Sequence, residues 1–351
     1  MTRFFLLLIF TFACIQSFAQ NQKFVDGVVR KNLKKFPDVG LVIGVYQNGK
    51  TSYFSYGTLT ANGKTKTDST TVFEIGSATK TFTALLLAEE IEKGKIKPFD
   101  FIDSYLPDDL RLSCQMKTKV LMTDLATHQS GLPNLSNDQY FEDLMAKDPN
   151  NPFRFVDEKY LYDVLRNTDS LKDYRQYQYN NFAFSLLGSL LARQSKISYE
   201  EMVSKNILEP LKMTSTTFSV SKDKNTAGLY SQRGEMQKPM ILNSANPAGG
   251  LHSNAVDLIK YLKAFLTHQD FKGAVKRIEH TYYEDSKRKL GLGWEMGDGF
   301  LEKDGDTFGN SSLMRYSKKN KVAIVVLSNH QNGQLVRDLM NEVYAESIRK
   351  K

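Results

Sequence analysis

Segments with the character of β-strands lie near both ends of this chain, and helical apolar patterns fill the middle. Val39–Tyr46, then Asn48-Gly49, then Thr51–Tyr56 reads as a hairpin closed by a tight turn, because Asn and Gly accept the positive φ angles such a turn demands. Near the other end Val322–Leu327 is a β-branched run flanked by turn residues, and Leu313–Tyr316 pairs with it through Lys318-Lys319-Asn320. Between them Phe82, Leu85, Leu86 and Ile91 fit one helical face ending at Gly94. Phe182, Phe184, Leu186, Leu187, Leu190 and Leu191 mark a helix buried on most sides, and Ala255–Leu266 a third. One antiparallel sheet assembled from both chain ends, with a helical subdomain inserted, satisfies this order. The expected class is therefore α+β. No internal repeat or linker interrupts the chain.

Composition narrows the function. The 351 residues are 41% hydrophobic and 25% charged, enough for a sizeable core and outside the disordered, collagen-like and coiled-coil classes. Lys and Arg outnumber Asp and Glu by 47 to 39, but the excess is spread along the chain without a dense basic tract, so nucleic-acid binding is not expected.

The first residues read as a leader. Arg3 gives a positive start, Phe4–Ile15 an apolar run too short to span a bilayer, and Ser17-Phe18-Ala19 a small-x-small cleavage pattern. Residues 1–19 are expected to be a signal peptide and 20–351 the mature domain, exported to the periplasm or the exterior with no transmembrane anchor. A lipoprotein signal with Cys14 as the lipidated residue is the rival, and Thr11 stands where that motif wants Leu. After cleavage only Cys114 remains, which excludes an intrachain disulfide.

Five histidines lie without metal-ligand spacing, CxxC, HExxH and GxSxG patterns are absent, and no GxxxxGK[ST] or GxGxxG loop follows a predicted strand, so no metal or other cofactor is expected. One local feature points to chemistry. Ser77-Ala-Thr-Lys80 sets a serine just ahead of a long amphipathic helix, with a lysine one turn on along the same face. Unpaired N–H groups and the helix dipole favour developing negative charge at that point. A serine hydroxyl needs a base, and lysine serves only if burial or a cationic neighbour lowers its pKa. The bland reading is an N-cap serine followed by a solvated lysine. His128 reads as a structural histidine before Gly131, Trp294 as core, Gly249-Gly250 as a tight turn, and Glu89–Lys97 as a solvated helix end.

Further stretches in order change the balance. Tyr179-Asn180-Asn181, followed by Phe182–Gly188, comes about a hundred residues after Ser77, and Lys303-Asp304-Gly305 precedes the last strand pair. Leu125–Pro133, Leu208–Met213, Pro247–Leu251 and Gly291–Trp294 fall between or beside them. With Ser77-x-x-Lys80, Tyr179-x-Asn181 and Lys303-x-Gly305, the sequence resembles the serine β-lactamases and penicillin-recognising DD-peptidases, closest to class C β-lactamases and their esterase relatives, over roughly residues 25–345.

That resemblance implies a cleft between a sheet subdomain (about 25–75 and 255–351) and a helical subdomain (about 78–250). It implies a secreted serine hydrolase, with Ser77 acylated and Lys80 and Tyr179 sharing the general-base work. Two cations near a phenol lower its pKa, so a phenolate between Lys80 and Lys303 is physically reasonable. Asn181 would bond the substrate amide, Lys303 would add positive potential, and Lys303, Asp304 and Gly305 would flank the substrate. The oxyanion would meet the backbone N–H groups of Ser77 and Asp306. The implied substrate is a β-lactam, a D-amino-acid peptide, cell-wall-derived ones included, or a carboxylic ester. The alternative is a non-catalytic penicillin-binding-like sensor or binding module. Asp304 departs from the family, which carries a hydroxyl there. Asp304 and Asp306 share one face of a strand, either toward the cleft, where they would repel a substrate carboxylate, or toward solvent.

Overall fold

A computed structural model describes residues 22–34, 36, 38–110, 119–135, 139–219, 225–267 and 271–349. The expected signal peptide, Cys14 and Cys114 lie outside these residues. The chain opens with helix α1 (residues 22–33) and then the expected hairpin of β1 (Leu41–Gln47) and β2 (Lys50–Tyr56), with Asn48 and Gly49 both at positive φ. A two-residue strand β3 (Phe73–Glu74) leads to helix α2 (Thr79–Glu92). Of the helices that follow, those that shape the site are α3 (Asn181–Ser195), α4 (Asn246–Gly249), α5 (Ala255–Thr267) and α6 (Lys272–Ile278). β4 (His252–Ser253) pairs with β3 in a small separate ladder. The chain closes with β5 (Tyr283–Glu284), β6 (Lys289–Leu290), β7 (Glu295–Gly297), β8 (Phe300–Asp306), β9 (Ser311–Ser317), β10 (Val322–Ser328) and helix α7 (Gly333–Arg349).

The large sheet runs β2-β1-β10-β9-β8-β7-β6-β5, antiparallel throughout. It joins the two chain ends through the pairing of β1 with β10, with Leu41 opposite Ser328 and Gln47 opposite Val322. Alternation sends the side chains of these strands to two different cores. Leu41, Ile43, Val322, Ile324 and Val326 pack against α1 and α7 through Val25, Val29, Leu339 and Val343. Val42, Ala323, Val325 and Leu327 join the larger core with Ile259, Leu262 and Phe265 of α5. Both faces are therefore apolar and covered by helices, and the α+β expectation holds.

The expectation of an amphipathic α2 does not. From Thr79 to Ile91 every residue except Glu89 is buried, because α2 runs through the middle of the molecule between α3, α4 and α6. Nor is its end simply solvated. Glu90 is 2% exposed, with Lys93 at 3.3 Å and Lys95 at 3.2 Å from its carboxylate. The Gly249-Gly250 turn is in fact the end of short helix α4, with Gly250 as a right-handed C-cap. Trp294 is core, as expected.

Candidate active site

Ser77 lies in a short 3-10 turn, Gly76–Ala78, immediately before α2, and its hydroxyl makes no capping bond. Instead Ser77 Oγ accepts a hydrogen bond from Lys80 Nζ at 3.0 Å and sits 2.5 Å from the Tyr179 hydroxyl. Lys80 is fully buried, and its other two donors go to Asn181 Oδ1 at 2.8 Å and the Ala248 carbonyl at 2.6 Å. An ammonium has three N–H donors, and all three are matched. Residues 77, 80, 179 and 181 thus meet although about a hundred positions divide them. The solvated-lysine reading fails.

Tyr179 is held from the segment before α3. Asn180 caps that helix by accepting the Ala183 N–H at 2.8 Å, and its amide donates to the Leu132 and Pro133 carbonyls at 2.8 and 3.1 Å. Asn134 clamps the flanking residues, donating to the Tyr179 carbonyl at 2.7 Å and accepting the Asn181 N–H at 3.0 Å. His128 Nδ1 accepts the Asn180 N–H at 3.0 Å, and its ring packs 4.5 Å from that of Tyr179. Burial, with Lys303 and Lys80 nearby, holds the His128 imidazole well below its ordinary pKa. It is a neutral structural histidine. The sequence reading passed over Asn134 and Asn180 as site residues, although Asn134 directly follows the Gly131-Leu-Pro133 stretch and Asn180 is the middle of Tyr-x-Asn.

Lys303 comes from β8, buried, with Nζ 5.1 Å from the centre of the Tyr179 ring; Lys80 Nζ is 4.9 Å from the same centre. Burial pushes the Tyr179 phenol up, but the charges of Lys80 and Lys303, with the contact to Ser77 Oγ, outweigh it and leave its pKa lowered. Lys80 is lowered as well, by burial first and by Lys303 next. Lys303 is raised: burial works against its charge, and Tyr179, Asp304 and Glu295 prevail.

The turn and β8 touch through two glycines. Gly76 has φ +50°, and a Cβ there would lie 2.6 Å from the Asp306 carbonyl oxygen. A Cβ on Gly305 would lie 2.1 Å from the Ile75 oxygen and 2.8 Å from the Ser77 nitrogen. Ser312 Oγ bonds the Ile75 carbonyl at 2.8 Å, tying β9 to the same seam. Beside it opens a cavity of about 200 Å³ lined by Ser77, Asn181, Leu135, Phe153, Asp306 and Phe308, among others.

Asp304 and Asp306 do share a face, the one that meets α7, where Asp304 is partly covered and Asp306, which also lines the cavity beside Ser77, stays exposed. Asp304 bonds Arg337 of α7 at 2.9 Å and Lys303 Nζ at 3.2 Å. Asp306 accepts from Ser311, and Glu302, next on that face, holds Arg315 and Arg337 (2.7 Å). Alternation then puts Lys303 and Gly305 on the side of Tyr179 and Ser77. Lys303 and Arg337 keep the Asp304 carboxyl below its usual range against the effect of burial.

Comparison with known proteins gives this arrangement a family. The Beta-lactamase family model matches residues 29–347. The chain belongs to that family. Protein flp of Staphylococcus aureus is 27% identical over 345 residues, and a beta-lactamase of Providencia stuartii 29% over 269. Those alignments take in 94% and 74% of this chain but 67% and 64% of the relatives' lengths. Among solved structures, a beta-lactamase/D-alanine carboxypeptidase from Pseudomonas syringae superposes with a TM-score of 0.80 at 21% identity, covering 93% of this chain and 99% of that one. A class C beta-lactamase from Rhodobacter sphaeroides gives 0.78 at 21%, covering 92% and 99%. The fold is thus that of the β-lactamases and penicillin-binding proteins. Among the described residues no helix is long and apolar enough to cross a membrane, and no group of three or more His, Cys, Asp or Glu side chains is placed to hold a metal.

Proposed function

We propose that this chain is an exported serine hydrolase working through an acyl-serine intermediate. The observation that carries the reading is Ser77 Oγ held between Lys80 Nζ at 3.0 Å and the Tyr179 hydroxyl at 2.5 Å. Lys80 has its three donors committed, so the Tyr179 phenolate, favoured by two cations, takes the Ser77 proton as Oγ attacks the substrate carbonyl. The tetrahedral oxyanion is met by the backbone N–H groups of Ser77 and Asp306 across the glycine seam. Collapse expels the leaving group, which takes the proton from Tyr179. Water then repeats the sequence on the acyl-enzyme and frees Ser77.

The preferred substrate in this proposal is a neutral carboxylic ester or a D-amino-acid peptide derivative, with β-lactams poorer. On the β8 face toward α7, Glu302, Asp304 and Asp306 sit with Arg315 and Arg337, and Lys303 reaches over to Asp304. Asp304 thus pairs with Lys303, the β8 cation beside Tyr179, and lowers the positive potential offered to a substrate carboxylate. A sensor that binds without turnover is the competing class.

A chromogenic p-nitrophenyl ester separates them. Hydrolysis should begin with a burst equal to the enzyme concentration and continue catalytically, and Ser77→Ala should abolish both the burst and covalent labelling by a fluorophosphonate probe. A burst without turnover would favour the sensor. Undiminished labelling of Ser77→Ala would remove Ser77 from the mechanism. The export reading rests on the Arg3 to Ala19 pattern, and fractionation of cells expressing the full chain tests it.

A further inference from the structure

A glycine inside a helix weakens it relative to alanine, so it needs a reason in backbone angle or in packing. Gly250, the C-cap of α4, has one: a Cβ there would lie 2.2 Å from Asn246 Oδ1. Gly249, the last residue of α4, has neither. Its backbone is right-handed helical, and a Cβ would meet only ordinary van der Waals neighbours, Leu242 Cδ1 at 3.6 Å and the Gly76 carbonyl carbon at 3.7 Å. Gly76, Leu242 and Gly249 all line the cavity of about 200 Å³ beside Ser77. What the glycine leaves there is open volume next to the nucleophile.

The path of the proton tells which half of a substrate this volume faces. The leaving group takes its proton from Tyr179, so it departs on the side of Tyr179 and Lys303. Neither of those residues lines the cavity, whereas Ser77, Asn181 and Asp306 do, so the cavity faces the acyl half. Leu135, Phe153, Met240, Leu242 and Phe308 give it large apolar side chains. Asn181, Asp306, Thr307 and Gln331 add polar atoms. Of these, Asn181 Oδ1 already accepts from Lys80, and Thr307 Oγ1 from the Gly309 and Asn310 N–H groups at 3.3 and 3.0 Å. The exposed Asp306 carboxylate disfavours an acyl group that itself ends in a carboxylate.

We propose that Gly249 is a specificity-determining residue, whose missing side chain keeps this pocket open for a neutral, apolar acyl chain of about six carbons. The inference rests on the serine-hydrolase reading of Ser77 and names the substrate class within it. A group the size of a water or a methylene takes about 30 Å³, so a cavity of about 200 Å³ holds about six of them. Each methylene removed from water should speed acylation about three- to fourfold until the pocket is full. A side chain at 249 would take up part of that space.

Single-turnover release of p-nitrophenol, with enzyme in excess over p-nitrophenyl acetate, butyrate, hexanoate or decanoate, measures acylation whether or not deacylation follows. The acylation constant should rise about tenfold or more from acetate to hexanoate and fall at decanoate. Gly249→Leu should lower the hexanoate-to-acetate ratio about tenfold, and Gly249→Ala a few-fold while melting no lower than the parent. A merely structural role for Gly249 would slow all esters together and leave the ratio alone. A flat chain-length profile, or an unchanged ratio in both variants, overturns the proposal and leaves the serine-hydrolase reading standing. Failure of every ester to acylate the protein would instead remove that reading and the proposal with it. Should Gly249→Leu lack the parental melting transition, Gly249→Ala decides.

Discussion

Two lysines on either side of a phenol fix what pH should do to this site. Lys80 and Tyr179 both titrate below their ordinary values, and Lys303 contributes to both shifts. The deprotonated base is the competent form, so kcat/KM for a neutral ester should rise with pH through the apparent pKa of the Lys80–Tyr179 pair and then level. Lys303→Ala removes a cation, which raises both groups and moves the rising limb to higher pH; an unmoved limb would show that Lys303 does not act on the base. Lys80→Ala should lower activity at neutral pH about 10²-fold or more, and Tyr179→Phe at least as much. Asp304→Thr should free Lys303 Nζ of its carboxylate partner, strengthen the positive potential beside Tyr179, and so raise kcat/KM for a cephalosporin relative to a neutral ester. An unchanged ratio would restore β-lactams as leading substrates.

Ser77, Lys80, Tyr179, Asn181 and Lys303 could be singled out because their motifs resemble those of a known family, and the fold brings them together. The partners that hold them were hidden for a physical reason. Ala248 acts through a carbonyl, the amides of Asn134 and Asn180 bond backbone groups that only the folded loops bring near, and Arg337 reaches Asp304 from a helix 33 residues away. Side-chain identity at those positions carries no pattern. The direction of Asp304 was equally hidden, since alternation says which residues share a face but not what covers it.

Among the elements, the legible ones were long and apolar: the first hairpin, β9, β10, α3 and α5. β5, β6 and β7 are two or three residues each, too short for any period to register, and they extend the sheet beyond β8. α2 misled because a helix buried on all sides still shows one apolar stripe. The contact that most controls function lies between β8 and the turn before α2. Gly305→Ala would drive a methyl into the Ile75 carbonyl and the Ser77 N–H. It should destabilise the protein by about 1–3 kcal/mol and, by displacing oxyanion donors, lower kcat about 10²-fold. Melting and ester turnover measured on the same preparation check both; a native kcat would mean the seam does not set the oxyanion geometry.

For the whole molecule, the β1–β10 pair joins residues about 280 positions apart, so the sheet cannot be completed until nearly all of the chain is available. Deleting 322–349 takes away β10 and α7 and severs β1 and β2 from β9; such a chain should show no cooperative unfolding transition, and a native-like transition would contradict the sheet order. The same closure sets where other things can be attached. α1 and α7 lie side by side, with Lys31 and Asn32 both 3.1 Å from Glu342, on the face of the sheet away from α5 and the reacting groups. A tether, a surface anchor or a fused domain joined at either terminal helix would hang behind the sheet, leaving the mouth of the cleft turned outward to whatever diffuses past.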